Sequence, residues 1–215
     1  MGRFKPGKAK VFSWLFLKWW LVRRLIHVSS LYTWIFDETP ISSLWLKLLG
    51  ASVGKNCSIE QPYILEPDLV TIGSDCVLEF ETQLSTSEIN KGIIEFRNVT
   101  IGNNVKLGVR SVLLGGTTVA EGCEVLPKSA LDFYTTSSKN QVIGGSPATV
   151  VGSVSAKTWR LKQGPCFMCF QVIGVVAILF LMSFIAFIGV TIGKVFMSFF
   201  FVSQNSITYT IFLDT

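Results

Sequence analysis

From Ile101 to Leu131 every sixth residue is a branched aliphatic: Ile101, Leu107, Leu113, Val119, Val125 and Leu131. Neither regular element repeats at that interval, since helices return near 3.6 residues and strands alternate in twos. A count of six predicts a short flat strand and then a tight corner, with the aliphatic pointing inward. Three such sides close one triangular coil, and stacked coils bury a continuous aliphatic ladder. A β-sandwich with accidental spacing would not hold these positions in step without a break. The same count starts earlier in the chain. Val53, Ile59 and Leu65 are six apart, one extra residue leads to Ile72, and Leu78 and Leu84 follow. Residues 85 to 98 interrupt the count as an excursion. Four residues after an aliphatic comes a mostly small or β-branched residue, as at Cys57, Cys76, Thr82, Val105, Ser111, Thr117, Cys123 and Ser129. Glycine or a polar residue often follows the aliphatic, as at Gly54, Gly73, Gly102 and Gly108, and the corner is expected to need glycine or asparagine for its unusual backbone angles.

The expected fold class is mainly β: a left-handed parallel β-helix of hexapeptide repeats flanked by membrane-associated α-helices. The left-handed winding of this repeat class departs from the usual right-handed crossover. The two ends of the 215-residue chain differ from its middle. Residues 1–48 carry a basic tip and then the apolar run "VFSWLFLKWWLVRRLIHVSSLYTWIF". Lys18, Arg23 and Arg24 interrupt that run, which argues against a clean spanning helix. Trp14, Trp19, Trp20 and Trp34 suit a bilayer interface. An interfacial or re-entrant helix is expected, with a true span as the alternative. No small-residue cleavage site follows the run, so a cleaved signal peptide is disfavoured. Residues 49–152 form the β-helix and 153–167 a basic linker. Residues 168–202 form a transmembrane region, uncharged from Val172 to Ile192, and 203–215 a tail. Lys194 leaves room for a second, returning segment. Lys157, Arg160 and Lys162 precede the apolar stretch. An integral membrane protein with its β-helix on the cytosolic side is therefore expected.

Charge and cysteines narrow the function classes. The net charge of +5 is concentrated beside the apolar runs, so it points to membrane lipid as a partner and not to nucleic acid. Of the five cysteines, Cys57, Cys76 and Cys123 fall in the repeat as small apolar residues. Cys166 and Cys169 lack a companion histidine or a second paired motif, so no metal is expected. They read as juxtamembrane thiols, a site for acylation.

The middle zone resembles the hexapeptide-repeat acyltransferase superfamily. Its closing "QVIGGSPATVVG" is similar to the segment that follows the last coil there, and the excursion falls where those enzymes carry an extended loop. The succession "LKWWLVRRL", "LWLKLLGASVGKNCSIE", "EPDLVTIGSDCVLEFETQL" and "VTIGNNVKLGVRSVLLGGTTV" resembles more narrowly a single membrane-embedded C-terminal module of ε-poly-lysine-synthetase-type peptide synthetases. That likeness covers roughly residues 15 to 190. It lacks the adenylation and carrier domains and the tandem copies. It implies amide formation between an amine and a phosphopantetheine-bound or CoA-bound (aminoacyl) thioester. It also implies a homotrimer, or a pseudo-trimer with related modules, and carrier or adenylation partner proteins.

The resemblance places the usual general base, a histidine, where this chain has Gln83. An amine near pKa ~10.4 is mostly protonated at neutral pH, so a base assists attack on a thioester. Glutamine orients by hydrogen bonding and takes no proton. Candidate catalytic positions are Gln83, Glu81 and Thr82, with Glu81 expected on the strand face of Gln83. Glu79, Glu88 and Glu95 are weaker candidates, and each carboxylate also reads as solvated surface. His27, the chain's one histidine, reads as interfacial. One histidine excludes the three-histidine zinc site of γ-type carbonic anhydrases, and Gln83 argues against sugar O-acetyltransfer. Gly115, Gly116, Gly144, Gly145, Ser146, Pro147 and Ala148 are candidates for the thioester arm, or equally for turns that close the coil. Three readings stay open: an active acyltransferase, a catalytically degenerate scaffold, and a partner subunit of a larger synthetase.

Overall fold

The computed structural model describes residues 3–33, 37, 39–154 and 165–213. Trp34 and the linker cations Lys157, Arg160 and Lys162 lie outside the described residues. The chain divides into two units, Met1–Cys169 and Phe170–Thr215.

The first unit is the predicted β-helix. Its first face stacks β2 (Ser52–Val53), β5 (Val70–Ile72), β10 (Val99–Ile101) and β13 (Thr118–Val119) in parallel. The second stacks β3 (Ser58–Ile59), β6 (Val77–Leu78), β11 (Lys106–Leu107), β14 (Glu124–Val125) and β16 (Gln141–Gly145), where β17 (Ala148–Ser153) turns back antiparallel. The third holds β4 (Tyr63–Ile64), β7 (Gln83–Ser85), β12 (Val112–Leu114) and β15 (Ala130–Leu131). Register puts like residues on top of one another, as in Ile59, Leu78, Leu107, Val125 and Ile143. These columns are buried and form one core. The six-residue aliphatics are thus one ladder per face, 18 residues apart in the regular coils from Ile101 onward.

Two details differ from the expected count. On the third face Ile64, not Leu65, pairs with Leu84. That side is one residue short, and the chain makes up the length in a 3-10 turn, Pro67–Leu69. The corners do use asparagine and glycine, but not the glycines that directly follow the aliphatics. None of Gly54, Gly73, Gly102 and Gly108 has a positive φ. A Cβ on Gly73 would lie 2.4 Å from the Gly102 carbonyl oxygen, so the missing side chain lets coils touch. The left-handed residues stand two positions later, at Asn56, Asp75, Asn104, Gly122 and Asn140, with φ of 51° to 74°. Asparagine and aspartate tolerate that conformation.

The small residues fill the corners. Cys57, Cys76 and Cys123 are buried, and each thiol donates to a carbonyl of the next turn, at Gly73 (3.1 Å), Gly102 (3.0 Å) and Ser138 (3.0 Å). Hydrogen bonding with Cys57, and then burial, push the Cys76 thiol far above its ordinary range. It is a packing residue and not a nucleophile.

Residues 85 to 98 form a hairpin of β8 (Ser87–Asn90) and β9 (Ile93–Phe96). The expected basic tip supplies a third strand, β1 (Gly7–Lys10), antiparallel to β9. Phe4, Trp19, Leu69, Ile94 and Phe96 make a second core beneath it. Arg97 ties this hairpin to the coil. Its guanidinium donates to Glu88 (2.8 Å) and Glu95 (2.7 Å) and lies over the rings of Phe133 and Tyr134. Burial alone would raise the Glu95 carboxyl. The Arg97 hydrogen bond, with the charges of Arg97 and Lys8, more than offsets this and holds it below the usual carboxylate range. A depressed carboxyl contributes stability above its unfolded pKa, and that contribution is lost as pH falls through the folded value. Glu95→Gln should therefore melt below wild type at neutral pH. The two melting temperatures should converge as pH drops beneath about 4. A constant gap across a pH series of thermal melts would contradict this assignment.

α1 (Trp14–Thr33) packs on the coil through Trp19, while Trp14 and Trp20 remain exposed. α2 (Pro40–Leu48) begins at an N-cap, where Thr39 Oγ1 accepts from the Ile41 N–H, and it sends Leu46 into the coil core. A single helix, α3 (Pro165–Leu213), starts at the end of the first unit and continues through the second, covering the predicted apolar region and running on through the tail as far as Leu213. Over Cys169–Phe196 it is long and apolar enough to cross a membrane, with a mean hydropathy of 2.8.

Candidate functional site

Gln83 opens β7 on the outward side of the third face, half-buried, while Leu84 points into the core. Its register partners are Tyr63 below and Val112 above. The preceding corner carries the other two predicted residues. Thr82 is fully buried and its hydroxyl donates to the Glu79 carbonyl at 2.6 Å. Glu81 is not on the strand face of Gln83. It sits in the left-handed turn at φ 55° and pairs with Arg110, which holds the matching position one coil on. A corner resets the two-residue alternation, so parity counted across it fails. The remaining carboxylates are engaged. Glu79 accepts from the Val109 N–H (3.1 Å) and pairs with Lys106 (3.1 Å), and Glu88 and Glu95 hold Arg97.

The glycine candidates fall at two places. Gly115 and Gly116 follow β12 at the corner filled by Arg97 and Tyr134. A Cβ on Gly116 would meet the Tyr134 ring at 2.7 Å. Gly144 to Ala148 close β16 into β17 on the corner that begins at Thr82. That corner runs Thr82, Ser111, Ser129. The Gln83 N–H donates to the Ser111 carbonyl (2.8 Å) and the Val112 N–H to that of Ser129 (2.8 Å). The Gly145 N–H then donates to Ser129 Oγ at 3.2 Å. Three strand spacings separate Thr82 from Gly145, about 14 Å. Gly144 leaves room for Leu126, whose Cδ1 would stand 2.8 Å from a Cβ there, and Gly145 has φ 99°.

α1 walls the Gln83 face. Trp19 Nε1 donates to Glu66 Oε1 at 2.7 Å, and the buried Glu66 carboxylate also accepts from Thr86 Oγ1 and Ser87 Oγ, both at 2.8 Å. This contact hangs the helix over β4 and β7. A narrow pocket bordered by Arg23, Tyr63, Glu66, Gln83 and Ser85 shares Arg23, Tyr63 and Leu65 with a wider cleft lined by Trp20, Arg24 and His27. The imidazole of His27 meets the Tyr63 ring edge-on at 6.5 Å between centroids. His27 thus stands beside the register partner of Gln83. Its spacing carried the signal: Trp19, Arg23 and His27 lie four apart and share one helix face.

No family profile matches the sequence. Among curated proteins, delta-poly-L-ornithine synthetase of Acinetobacter baumannii is 22% identical over 159 residues. The match covers 74% of this chain but only 12% of that protein. Among solved structures, a maltose O-acetyltransferase from Clostridium difficile superimposes with a TM-score of 0.53 at 18% identity, covering 70% of this chain and 94% of that one. A hexapeptide-repeat acetyltransferase from Vibrio cholerae gives 0.52 at 15% identity over 64% and 93%. A galactoside acetyltransferase in complex with coenzyme A gives 0.50 at 17% identity over 74% and 95%. The chain has the left-handed β-helix fold of the hexapeptide-repeat acyltransferases.

Proposed function

We propose that this protein is a membrane-bound acyltransferase that joins an amine to a pantetheine-type thioester, with CoA or a carrier-borne phosphopantetheine as donor. One observation carries the proposal. The corner Thr82, Ser111, Ser129 leads from Gln83 to the hairpin Gly144–Ala148 along a single edge of the coil. That edge offers a straight track for a pantetheine arm. Its acyl end would lie at Gln83, with the remainder toward Gly145, Ser146, Pro147 and Ala148. The fold shared with a coenzyme A-bound acetyltransferase supports this donor class. The likeness to a poly-ornithine synthetase supports an amine acceptor and an amide product. The donor groove is completed by a second copy or by a related module, so the working unit is a homotrimer or a mixed trimer. α3 anchors it, with the coil on the cytosolic side.

Chemically, Gln83 can hold the thioester carbonyl or a water by hydrogen bonding but cannot take the amine's proton. His27 stands in the adjoining cleft, against the Tyr63 ring, and is the first candidate for that task. A second reading, a scaffold or partner subunit without turnover of its own, is favoured by the amide at position 83. The test is amide formation from an aminoacyl-pantetheine thioester and an amine by full-length protein in detergent. Wild type should react, His27→Gln should lose most of the rate, and Gln83→His should raise it by about 10² or more, the usual worth of a placed base. Silence from wild type with activity in Gln83→His would favour the scaffold. Silence from both would remove the acyltransfer proposal for the isolated chain.

A further inference from the structure

The cleft between α1 and β4 carries a second feature. Arg23 and Arg24 line it, and among the described residues their charges are unanswered. No carboxylate of the described residues lies in salt-bridge reach of either; the ion pairs there involve other cations. Glu66, which borders the adjoining narrow pocket, is already occupied by three donors. Both guanidiniums lie over indole rings, Arg23 on Trp19 at 5.1 Å and Arg24 on Trp20 at 5.7 Å. A guanidinium over a ring face can still offer N–H groups to a ligand. The cleft encloses about 230 Å³, room for a small molecule rather than a nucleotide. Tyr63 and His27 add polar groups beside the arginines.

We propose that this cleft binds a small oxyanionic ligand, a carboxylate or a phosphate, held by Arg23 and Arg24 with its remainder facing Tyr63, which also borders the Gln83 pocket. Planar forked donors suit both oxyanions, and two adjacent guanidiniums with no carboxylate partner among the described residues favour an incoming anion. The inference deepens the acyltransfer reading by assigning an acceptor amine that carries its own anionic group. Its position does not depend on turnover.

The test is equilibrium binding to the full-length protein in detergent, followed by intrinsic tryptophan fluorescence, since Trp19 and Trp20 form the arginine platforms. The probes are L-ornithine, putrescine (the same diamine without the carboxylate), inorganic phosphate, and nanodiscs of phosphatidylglycerol. Saturable binding of L-ornithine but not putrescine is expected. It should weaken at least about tenfold in Arg23→Gln/Arg24→Gln and less in the paired lysine variant. Inorganic phosphate binding with the same arginine dependence would keep the site and make the ligand a phosphate. Displacement of that phosphate by phosphatidylglycerol would trace it to a lipid headgroup. If no oxyanion binds, or if the glutamine variant binds as wild type does while its melting temperature is unchanged, the site is overturned. Binding without amide formation would sink the acyltransfer reading and leave this one standing. Amide formation unaffected by the glutamine pair would do the reverse.

Discussion

Trp19→Ala is expected to destabilise the first unit by about 3–5 kcal/mol, the usual cost of emptying a buried aromatic site. The ring is 5% exposed and meets Phe16 and Phe96 at centroid distances of 5.3 and 6.4 Å. Its indole N–H is also one of three donors to the buried Glu66 carboxylate. Loss of that donor adds the expense of an under-satisfied buried charge. Trp19→Phe separates the two contributions. It keeps most of the ring and should cost only about 1–3 kcal/mol, the hydrogen-bond share. Urea unfolding of the detergent-solubilised chain measures both. Because Trp19 hangs α1 over Gln83, the alanine variant should also expose Arg23 and Arg24 to trypsin before global unfolding. Equal unfolding midpoints for Ala and wild type would mean that α1 is not held as described.

Gly73→Ala should cost about 3 kcal/mol, the upper end of what overpacking usually brings. The added methyl would fall 2.4 Å from the Gly102 carbonyl oxygen and 2.5 Å from the Gly102 carbonyl carbon. Backbone of the next coil cannot rotate out of the way as a side-chain tip could. Two coils must separate locally, and the ladder pair Ile72 and Ile101 above the glycine loosens with them. Gly152→Ala is the control. Nothing lies within 4 Å of a Cβ there, and a change within about 0.5 kcal/mol is expected. Thermal melts of the two variants side by side check the contrast. A tolerated Gly73→Ala would mean that the glycine column is not a contact requirement.

The core was legible because its period is local. Each aliphatic of the run from Ile101 to Leu131 occupies the same place in a repeating unit, so spacing alone identifies the ladder, and all six are buried as counted. The helices were legible for a similar reason, since an uncharged run such as Val172 to Ile192 needs no partner to be recognised. Where the unit changed length, counting failed. Ile64 replaced Leu65 because the register of β4 is set by hydrogen bonds to β7, 20 residues on, and not by the preceding turn. The need for glycine or asparagine at the corners was legible, but the separate duty of the glycines directly after the aliphatics was not. A requirement for open space shows only when the next coil is in place.

The site was half legible. Gln83 and the hairpin Gly144–Ala148 came from motif likeness, yet nothing in the order of residues says that one corner joins them. Glu81 looked like a neighbour of Gln83 by parity and proved to be a turn residue held by Arg110. His27, Arg23 and Trp19 looked like membrane-interface residues. Tertiary packing turned their face toward the coil instead, through one indole hydrogen bond to a carboxylate 47 positions away. What the sequence determined by itself is the repeat: six-residue sides, an aliphatic core, and an apolar helix after it. Those depend on periodicity and composition, which short windows contain. What only the tertiary structure decided is the cleft. Its walls come from a helix and two strands far apart in the chain, and contacts at that separation leave no period to count.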